Sequence, residues 1–279
     1  MASPILVVGG TGRLGRLVVA RLVDAGCDVR VLARHERGTP SGVTFFTGDL
    51  RSGAGLDPAV RSAAAVIHCA TGNKGDAEAT RNLVAAAAAA GCAHVVYVSI
   101  VGIDHIASWG YPKEKLESER IVTDSGLPWT ILRVTQFYDY ILSNVRRLAK
   151  LPVSPVPSGF RVQPVDPGEV AARLVELALG GPAGRVADMA GPEVTSWTDV
   201  LRSYLETTHR RRWIIPVLIP GTRAVRGGAL LPSPGHTVGT RTWAQFLAAD
   251  PEYRQTPPDD PRHDATRQAL HGTTWHDTA

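Results

Sequence analysis

The sequence is poor in cysteine and aromatic residues and has no long hydrophobic run. Its three cysteines, Cys27, Cys69 and Cys92, are widely spaced and form no C-x-x-C pair, so we expect neither a disulfide framework nor a thiolate metal site. The apolar run near the N-terminus covers only residues 5–8 before it reaches glycine, which is too short for a signal peptide or a membrane span. We therefore expect a cytoplasmic protein.

Several patterns that carry hydrolytic or metal chemistry are also missing. The histidines form no His-x-x-x-His pair, and the chain has neither a Gly-x-Ser-x-Gly elbow nor the lysine of a nucleoside-triphosphatase loop. These absences disfavour a catalytic metal, ester hydrolysis and triphosphate hydrolysis. We expect no bound metal.

The charge is moderately basic, with 30 lysines and arginines against 26 acids and a net charge of +4. Arginine supplies most of the positive charge, a bias that would also fit nucleic-acid contact. However, no RNP, zinc-finger or basic-helix motif accompanies the arginines. We expect a small-molecule substrate and neither nucleic acid nor a membrane as a partner, and the sequence leaves open whether the protein is a monomer or a homodimer.

The first half of the chain alternates short apolar runs with amphipathic stretches. The runs are almost continuously apolar, which is typical of parallel strands covered by helices on both faces. The predicted strands cover residues 5–8, 29–33, 43–47, 65–68, 95–99 and 129–133, and the predicted helices cover 13–25, 76–90 and 112–124. The fold class that we predict is α/β, a Rossmann-type doubly wound parallel sheet with a small C-terminal substrate lobe.

The pattern changes after residue 133 and suggests a division of the chain. We predict a nucleotide-binding domain over residues 1–157 that regains the sheet at 168–190, a lobe over 158–250, and a polar tail over 251–279. Residues 151–157 are rich in proline and are predicted to be a connector. Shorter elements are expected at 161–165, 168–179, 196–207 and 240–249.

A glycine-rich turn follows the first predicted strand and opens the first predicted helix. Glycine permits the tight turn and the close approach of a pyrophosphate, and the helix N-terminus then offers free N–H groups and the positive end of its dipole. We therefore predict a dinucleotide site at Gly9, Gly10, Thr11, Gly12, Arg13, Leu14 and Gly15.

The end of the second predicted strand indicates which dinucleotide binds. Arg34 stands where an NAD-binding unit usually has an acid for the ribose hydroxyls. Because a guanidinium pairs well with a 2′-phosphate, the sequence favours NADP(H), although an arginine that is merely solvated is the alternative. The ends of the next two strands place Asp49, Leu50, Ala70 and Thr71 along the adenosine, and a turn-capping role for Asp49 is equally open.

Three candidate catalytic residues follow in sequence. Ser99 ends the fifth predicted strand, and Tyr111 and Lys115 are four residues apart, so on a helix they would share a face. A nearby ammonium lowers the pKa of a phenol, and the tyrosine would then exchange a proton with a carbonyl or alcohol that Ser99 orients. Pro112 leaves open whether Tyr111 begins the helix or precedes it. In either case we expect Lys115 to bind the ribose hydroxyls next to the nicotinamide.

Candidate substrate contacts lie in the loop after the fifth strand and just beyond the sixth. They are His105, Trp109, Phe137 and Tyr138. Aromatic side chains at such places also serve as ordinary core or lid residues, and the sequence leaves both roles open.

Taken together, these segments resemble an atypical short-chain dehydrogenase/reductase of the NmrA-like NAD(P)H-binding family. The resemblance rests on the glycine turn, on VVYVSIVGID at 95–104, on the tyrosine and lysine, on GLPWTILRVTQFYD at 126–139 and on MAGPEV at 189–194. It implies a Rossmann domain, NADP(H) as cofactor and reduction of a carbonyl, quinone or conjugated double bond, and we expect the substrate to be a small aromatic or polyketide-like molecule. Some members bind the cofactor without turnover, so a non-catalytic NADP(H) sensor and a redox-neutral isomerase or cyclase remain alternatives.

Overall fold

A computed structural model describes residues 3–35, 42–72, 75–106 and 110–249. Trp109 and the expected tail at 251–279 lie outside the described residues. In the first half, the boundaries of the predicted strands and helices agree with the structure to within one or two residues, and the two short helices α2 and α4 were not predicted. The elements are β1 (Ile5–Val8), α1 (Arg13–Asp24), β2 (Val29–Ala33), β3 (Val43–Thr47), α2 (Leu56–Val60), β4 (Ala65–His68), α3 (Asp76–Ala89), β5 (Val95–Ile100), α4 (Ile103–Ile106), α5 (Tyr111–Thr123) and β6 (Trp129–Val134).

The second half contains shorter strands. Its elements are α6 (Tyr138–Leu148), β7 (Val153–Pro157), β8 (Arg161–Val162), α7 (Pro167–Gly180), β9 (Gly184–Arg185), β10 (Met189–Ala190), β11 (Thr195–Ser196), α8 (Trp197–Thr207), β12 (Trp213–Val217), α9 (Arg223–Arg226), β13 (Thr237–Val238) and α10 (Trp243–Ala248). Of these, β9, β10 and β13 join the main sheet.

The main sheet of the described chain runs β13-β10-β6-β5-β4-β1-β2-β3, with β9 also beside β6. Every recorded pair in it is parallel. The strand order reverses between β1 and β4, which is where doubly wound sheets bind ligands at the carboxyl ends of their strands. The predicted fold class is confirmed.

Both faces of the sheet are covered by helices. Leu14, Val18 and Leu22 of α1 follow a helical spacing and enter the same buried cluster as Leu174 of α7. A second cluster lies on the opposite face and contains Leu83 of α3. This double covering explains why the strands are apolar throughout.

The small lobe has a hydrophobic cluster of its own, built from α6, α8 and α10 around Tyr138, Leu201 and Trp243. The proline-rich segment that we expected to be a connector is instead strand β7, which pairs in parallel with β12. In parallel pairing each strand uses the N–H of alternate residues, so prolines are tolerated at the other positions of a strand at the sheet edge.

Candidate active site

The candidate site is a cleft of about 860 Å³ at the carboxyl ends of the main strands. It lies over the reversal of strand order between β1 and β4. The cleft is lined by the glycine turn, by the ends of β2, β4 and β5, by the start of α5 and by the start of α6. The fold therefore brings the predicted nucleotide residues and the predicted catalytic residues to one place.

The glycine turn forms a cradle that side chains would fill. Gly9 has a φ of +79°, and a Cβ there would lie 2.6 Å from the backbone nitrogen of Ala70. A Cβ on Gly15 would lie 2.1 Å from the carbonyl oxygen of Gly9. Only glycine fits these two positions, because the obstructing atoms belong to the backbone.

The helix behind this cradle has an uncapped N-terminus. Gly12 is the N-cap of α1 and supplies no side-chain hydrogen bond, and the first turn holds no acid. Its N–H groups and dipole therefore favour an anion. Of the predicted turn residues, Gly9, Thr11, Gly12, Arg13, Leu14 and Gly15 line the cleft. Gly10 lies below it, since a Cβ there would lie 2.8 Å from Cγ1 of Val31.

The predicted adenosine contacts also line the cleft. They are Arg34, Asp49, Leu50, Ala70 and Thr71. Asp49 has a structural task as well, because its Oδ1 accepts a hydrogen bond of 2.8 Å from the backbone nitrogen of Arg51. The turn-capping role that the sequence left open for Asp49 is thus present.

Tyr111 is the first residue of α5, and Pro112 occupies the first turn, where its missing N–H costs no helical bond. The i+4 relation to Lys115 therefore exists. The Lys115 ammonium lies 5.9 Å from the centre of the Tyr111 ring and 4.8 Å from that of Tyr97. Its Nζ donates to the carbonyl oxygen of Val98 at 3.4 Å.

A carboxylate that the sequence analysis missed connects these groups. Oδ2 of Asp76 lies 2.8 Å from the Thr71 hydroxyl and 3.9 Å from the Lys115 ammonium. The Thr71 hydroxyl is also 3.3 Å from the Tyr111 hydroxyl. Since Thr71 has one proton and a carboxylate only accepts, Thr71 donates to Asp76 and accepts from Tyr111.

Asp76 also fixes the adjacent loop, because its Oδ1 accepts a hydrogen bond of 2.7 Å from the backbone nitrogen of Gly72. A signal for Asp76 existed in the sequence, as it is an acid at the start of a predicted helix just past a strand end. The local pattern there indicates a helix boundary and by itself no catalytic role.

Burial sets the protonation states in the cleft. Lys115 is 2% exposed, and this burial lowers its pKa to about 8, against the opposing effect of Asp76. The same cause raises the pKa of Tyr111 above its ordinary value. The expected lowering of the Tyr111 pKa by Lys115 is therefore wrong, because desolvation of the phenolate dominates and the Asp76 charge adds to it.

Ser99 lies near the end of β5 and lines the cleft. Its side chain is buried, and its Oγ has no hydrogen-bond partner among the described residues. An orphaned buried hydroxyl is costly, so a ligand oxygen at this point would satisfy it.

Of the predicted substrate contacts that the structure describes, one lines the cleft and two do not. Phe137 lines the cleft. Tyr138 does not line the cleft, because it is buried in the hydrophobic cluster of the lobe. Its hydroxyl donates a hydrogen bond of 2.7 Å to the carbonyl of Arg241. His105 is exposed on α4 and is not among the cleft residues. Trp109 falls outside the described part of the chain.

The chain belongs to the NAD(P)H-binding family of NmrA-like, atypical short-chain dehydrogenases/reductases. The NAD(P)H-binding family model matches residues 9–177, which include the glycine turn and the catalytic candidates. The resemblance inferred from the sequence is confirmed, and so is the cofactor class, NAD(P)H.

Relatives of the chain include enzymes and an assembly factor. It is 38% identical over 197 residues, 68% of each chain, to a (4-alkanoyl-5-oxo-2,5-dihydrofuran-3-yl)methyl phosphate reductase of Streptomyces griseus. It is 26% identical over 181 residues to a photosystem II assembly factor of Trieres chinensis, covering 60% of this chain and 57% of that one. The structure of an NADPH-dependent quinone oxidoreductase of Escherichia coli in complex with NADPH is similar in fold, with a TM-score of 0.73 and 20% identity. The match covers 87% of this chain and 98% of the oxidoreductase.

Two features are absent from the part of the chain that the structure describes. No group of three or more histidine, cysteine, aspartate or glutamate side chains is arranged to hold a metal ion. No described helix is long and apolar enough to cross a membrane.

Proposed function

We propose that the protein is an NADPH-dependent reductase of a carbonyl, quinone or conjugated double bond in a small molecule. The observation that carries this proposal is the single cleft that contains the glycine cradle, the orphaned Ser99 hydroxyl, and the coupled Tyr111 and Lys115. A reductase needs a dinucleotide site and a proton donor within reach of one substrate oxygen or carbon.

The residues present suit the whole dinucleotide. The cradle of Gly9 and Gly15 with the uncapped end of α1 would hold the pyrophosphate, and Arg34 would pair with the 2′-phosphate. Lys115 would also bind the ribose hydroxyls next to the nicotinamide. When bound, the nicotinamide supplies hydride to the substrate.

The protein's own contribution is to position the substrate oxygen and to deliver a proton. The Ser99 hydroxyl would donate a hydrogen bond to that oxygen, and the Tyr111 hydroxyl would transfer a proton as negative charge develops. The raised pKa of Tyr111 fits this direction of reaction, because it keeps the phenol protonated near neutral pH and ready to donate.

Thr71, Asp76 and Lys115 would restore the proton. The Thr71 hydroxyl is within hydrogen-bond distance of both Tyr111 and Asp76, and the Lys115 ammonium is the next charged group beyond Asp76. With a pKa near 8, Lys115 gives up a proton at little cost. We assign Tyr111 as the proton donor, and Thr71 and Asp76 as positioning residues that act through it.

The substrate would enter from the side of the lobe. We assign the main sheet with its covering helices to nucleotide binding, and the lobe of α6, α8, α10 and the β7–β12 sheet to covering the substrate. Phe137 and the start of α6 line the cleft there. A conjugated lactone resembling the substrate class named for the Streptomyces relative, or a quinone, suits a cleft with one apolar wall and one buried hydroxyl.

The direct test is NADPH consumption with a panel of quinones, ketones and unsaturated lactones, followed by identification of the product. We expect one NADPH to be oxidised per molecule of reduced product. Product formed without NADPH consumption would instead establish the redox-neutral isomerase or cyclase.

A non-catalytic NADP(H) sensor is the second candidate, and the similarity to an assembly factor favours it. Calorimetric titration separates the two. Tight binding that distinguishes the oxidised from the reduced cofactor, together with no turnover across the panel, would replace the reductase by the sensor.

A further inference from the structure

The small lobe carries an exposed apolar face on the two-stranded sheet of β7 and β12. Trp213 pairs with Val153, Ile215 with Pro155 and Val217 with Pro157. Side chains alternate between the faces of a strand, so these residues share the outer face, while Ser154 and Val156 are buried beneath.

This outer face is unusual in size and exposure. Trp213 is 78% exposed, and Leu218, which follows β12, is 61% exposed. The other large apolar side chains exposed on this face or beside it are Leu151, Val153, Ile215, Val217 and Ile219. A contiguous exposed apolar surface of this kind indicates a binding surface.

The chain segments that contain β7 and β12 are positively charged. From residue 207 to residue 249 the chain has six arginines and no acid, and from 140 to 165 it has four basic residues and no acid. The run Arg210 to Arg212 leads directly into β12 and is exposed. Nε of Arg212 donates a hydrogen bond of 3.0 Å to the carbonyl of Ala149. This contact brings the arginine run beside Lys150.

We propose that the outer face of the β7–β12 sheet binds the surface of an anionic lipid bilayer. Trp213 and the aliphatic side chains around it enter the headgroup region, and Lys150 and the arginine run contact lipid phosphates. Interfacial tryptophan, aliphatic side chains and flanking arginines form the combination that anionic bilayers attract. This proposal departs from the sequence-based expectation of no membrane partner, and it requires no membrane-spanning helix.

Other occupants fit the face less well. A second copy placed face to face would bring the same acid-free, arginine-rich segments together, and like charges would repel. No described strand pairs with the second edge of β12, and addition of a strand there is hindered because Pro216 has no N–H to donate.

The arrangement also relates the face to the cleft. The first residues of α6, including Tyr140 and Ser143, line the cleft, and the helix then leads through Lys150 to β7. The bilayer contact would therefore lie at one end of a helix whose other end borders the substrate.

The test is co-sedimentation of the full chain with vesicles. We expect the protein to bind vesicles of phosphatidylcholine with about 30% phosphatidylglycerol at least tenfold more tightly than pure phosphatidylcholine, and raised salt to weaken the binding. Trp213→Ser and Arg211→Ala should each reduce the partition coefficient about fivefold or more. Because the readout is not turnover, its failure is distinguishable from failure of the proposed reduction.

Matched controls come from α7 and α3, which cover the main sheet. Leu179→Ser removes a side chain that is 57% exposed on α7, and Arg81→Ala removes an exposed arginine of α3. Both variants should partition as the wild type does, within twofold.

Three results would overturn the proposal. The first is equal binding of both vesicle types, or of wild type and Trp213→Ser. The second is a dimer in sedimentation velocity that Trp213→Ser dissociates, which would assign the face to a second copy. The third is a monomer that binds no vesicle and whose acrylamide quenching is unchanged by Trp213→Phe, which would mean that another segment of the chain covers the tryptophan.

Discussion

The cleft and the outer face of the β7–β12 sheet invert the usual distribution of side chains in opposite ways. In the cleft, Lys115, Asp76 and Ser99 are buried, although charged and hydroxyl groups prefer water. On the outer face, Trp213 and Ile215 are exposed, although apolar groups prefer the core. Both arrangements reduce stability, so each is informative about binding.

The two regions differ in the kind of partner that their side chains need. The cleft groups already satisfy one another in part, through Thr71, Asp76 and the carbonyl of Val98, and a substrate oxygen would satisfy Ser99. Among the described residues the outer face has no such partners, and we propose that a bilayer covers it. The following variants test the roles of the cleft and of the outer face separately, beginning with the largest expected effect.

Tyr111→Phe should lower kcat for the best substrate by a factor of about 10²–10⁴, because it removes the proton donor while it keeps the ring. Steady-state NADPH oxidation measures this loss. Tyr204→Phe is the matched control, since Tyr204 is buried in the hydrophobic cluster of the lobe and is not among the cleft residues. Equal turnover of Tyr111→Phe and wild type would remove Tyr111 from the reaction.

Lys115→Met should change how stability depends on pH. The folded pKa of Lys115 is about 8 and its ordinary value is 10.5, so between these values the unfolded chain binds more protons than the folded protein. The free energy of unfolding of the wild type should therefore rise over this range by roughly 3 kcal/mol more than that of the variant.

Urea unfolding at several pH values from 7 to 10.5 would show this difference between Lys115→Met and wild type. Below pH 8 the buried charge destabilises the wild type fully, and the penalty disappears as pH approaches the unfolded pKa. Parallel curves for the two proteins would contradict the burial of a charged Lys115.

Arg34→Ala should raise the KM for NADPH about 10- to 100-fold, because a charge-assisted contact to the 2′-phosphate is lost. The KM for NADH should stay within about twofold, since NADH lacks that phosphate. Measurement of both cofactors on one preparation provides the control. An unchanged KM for NADPH would reject the phosphate contact.

Trp213→Ser should have the smallest effect on the protein in solution. Its side chain is largely exposed, so the free energy of unfolding should change by less than about 0.5 kcal/mol and NADPH oxidation without vesicles should stay the same. A large loss of stability would place Trp213 in the lobe core and end the contrast with the cleft.

Much of the nucleotide half could be predicted from the sequence because its signals are local. A strand of four apolar residues, a glycine turn and a helix with Leu14, Val18 and Leu22 on one face each follow from short-range rules. The predicted helix and strand boundaries there hold to within one or two residues. The position of Ser99, Tyr111 and Lys115 on one cleft followed from the topology of parallel strands.

The remainder depended on contacts between distant segments. β7 forms from a proline-rich segment because β12, about sixty residues later, pairs with it. Tyr138 belongs to the lobe core because its hydroxyl donates a hydrogen bond to the carbonyl of the distant Arg241. The sequence around β7 or around Tyr138 does not indicate which distant segment it contacts.

The sequence by itself determined the parallel α/β fold, the dinucleotide cradle and the identity of the three central catalytic candidates. These depend on backbone rules for glycine and on periodicity, both of which act within a few residues. Only the tertiary structure decided the protonation of Tyr111 and Lys115, the inclusion of Asp76 and the exposure of Trp213. Desolvation, pairing of charges and burial are sums over neighbours that folding brings together from separate parts of the chain.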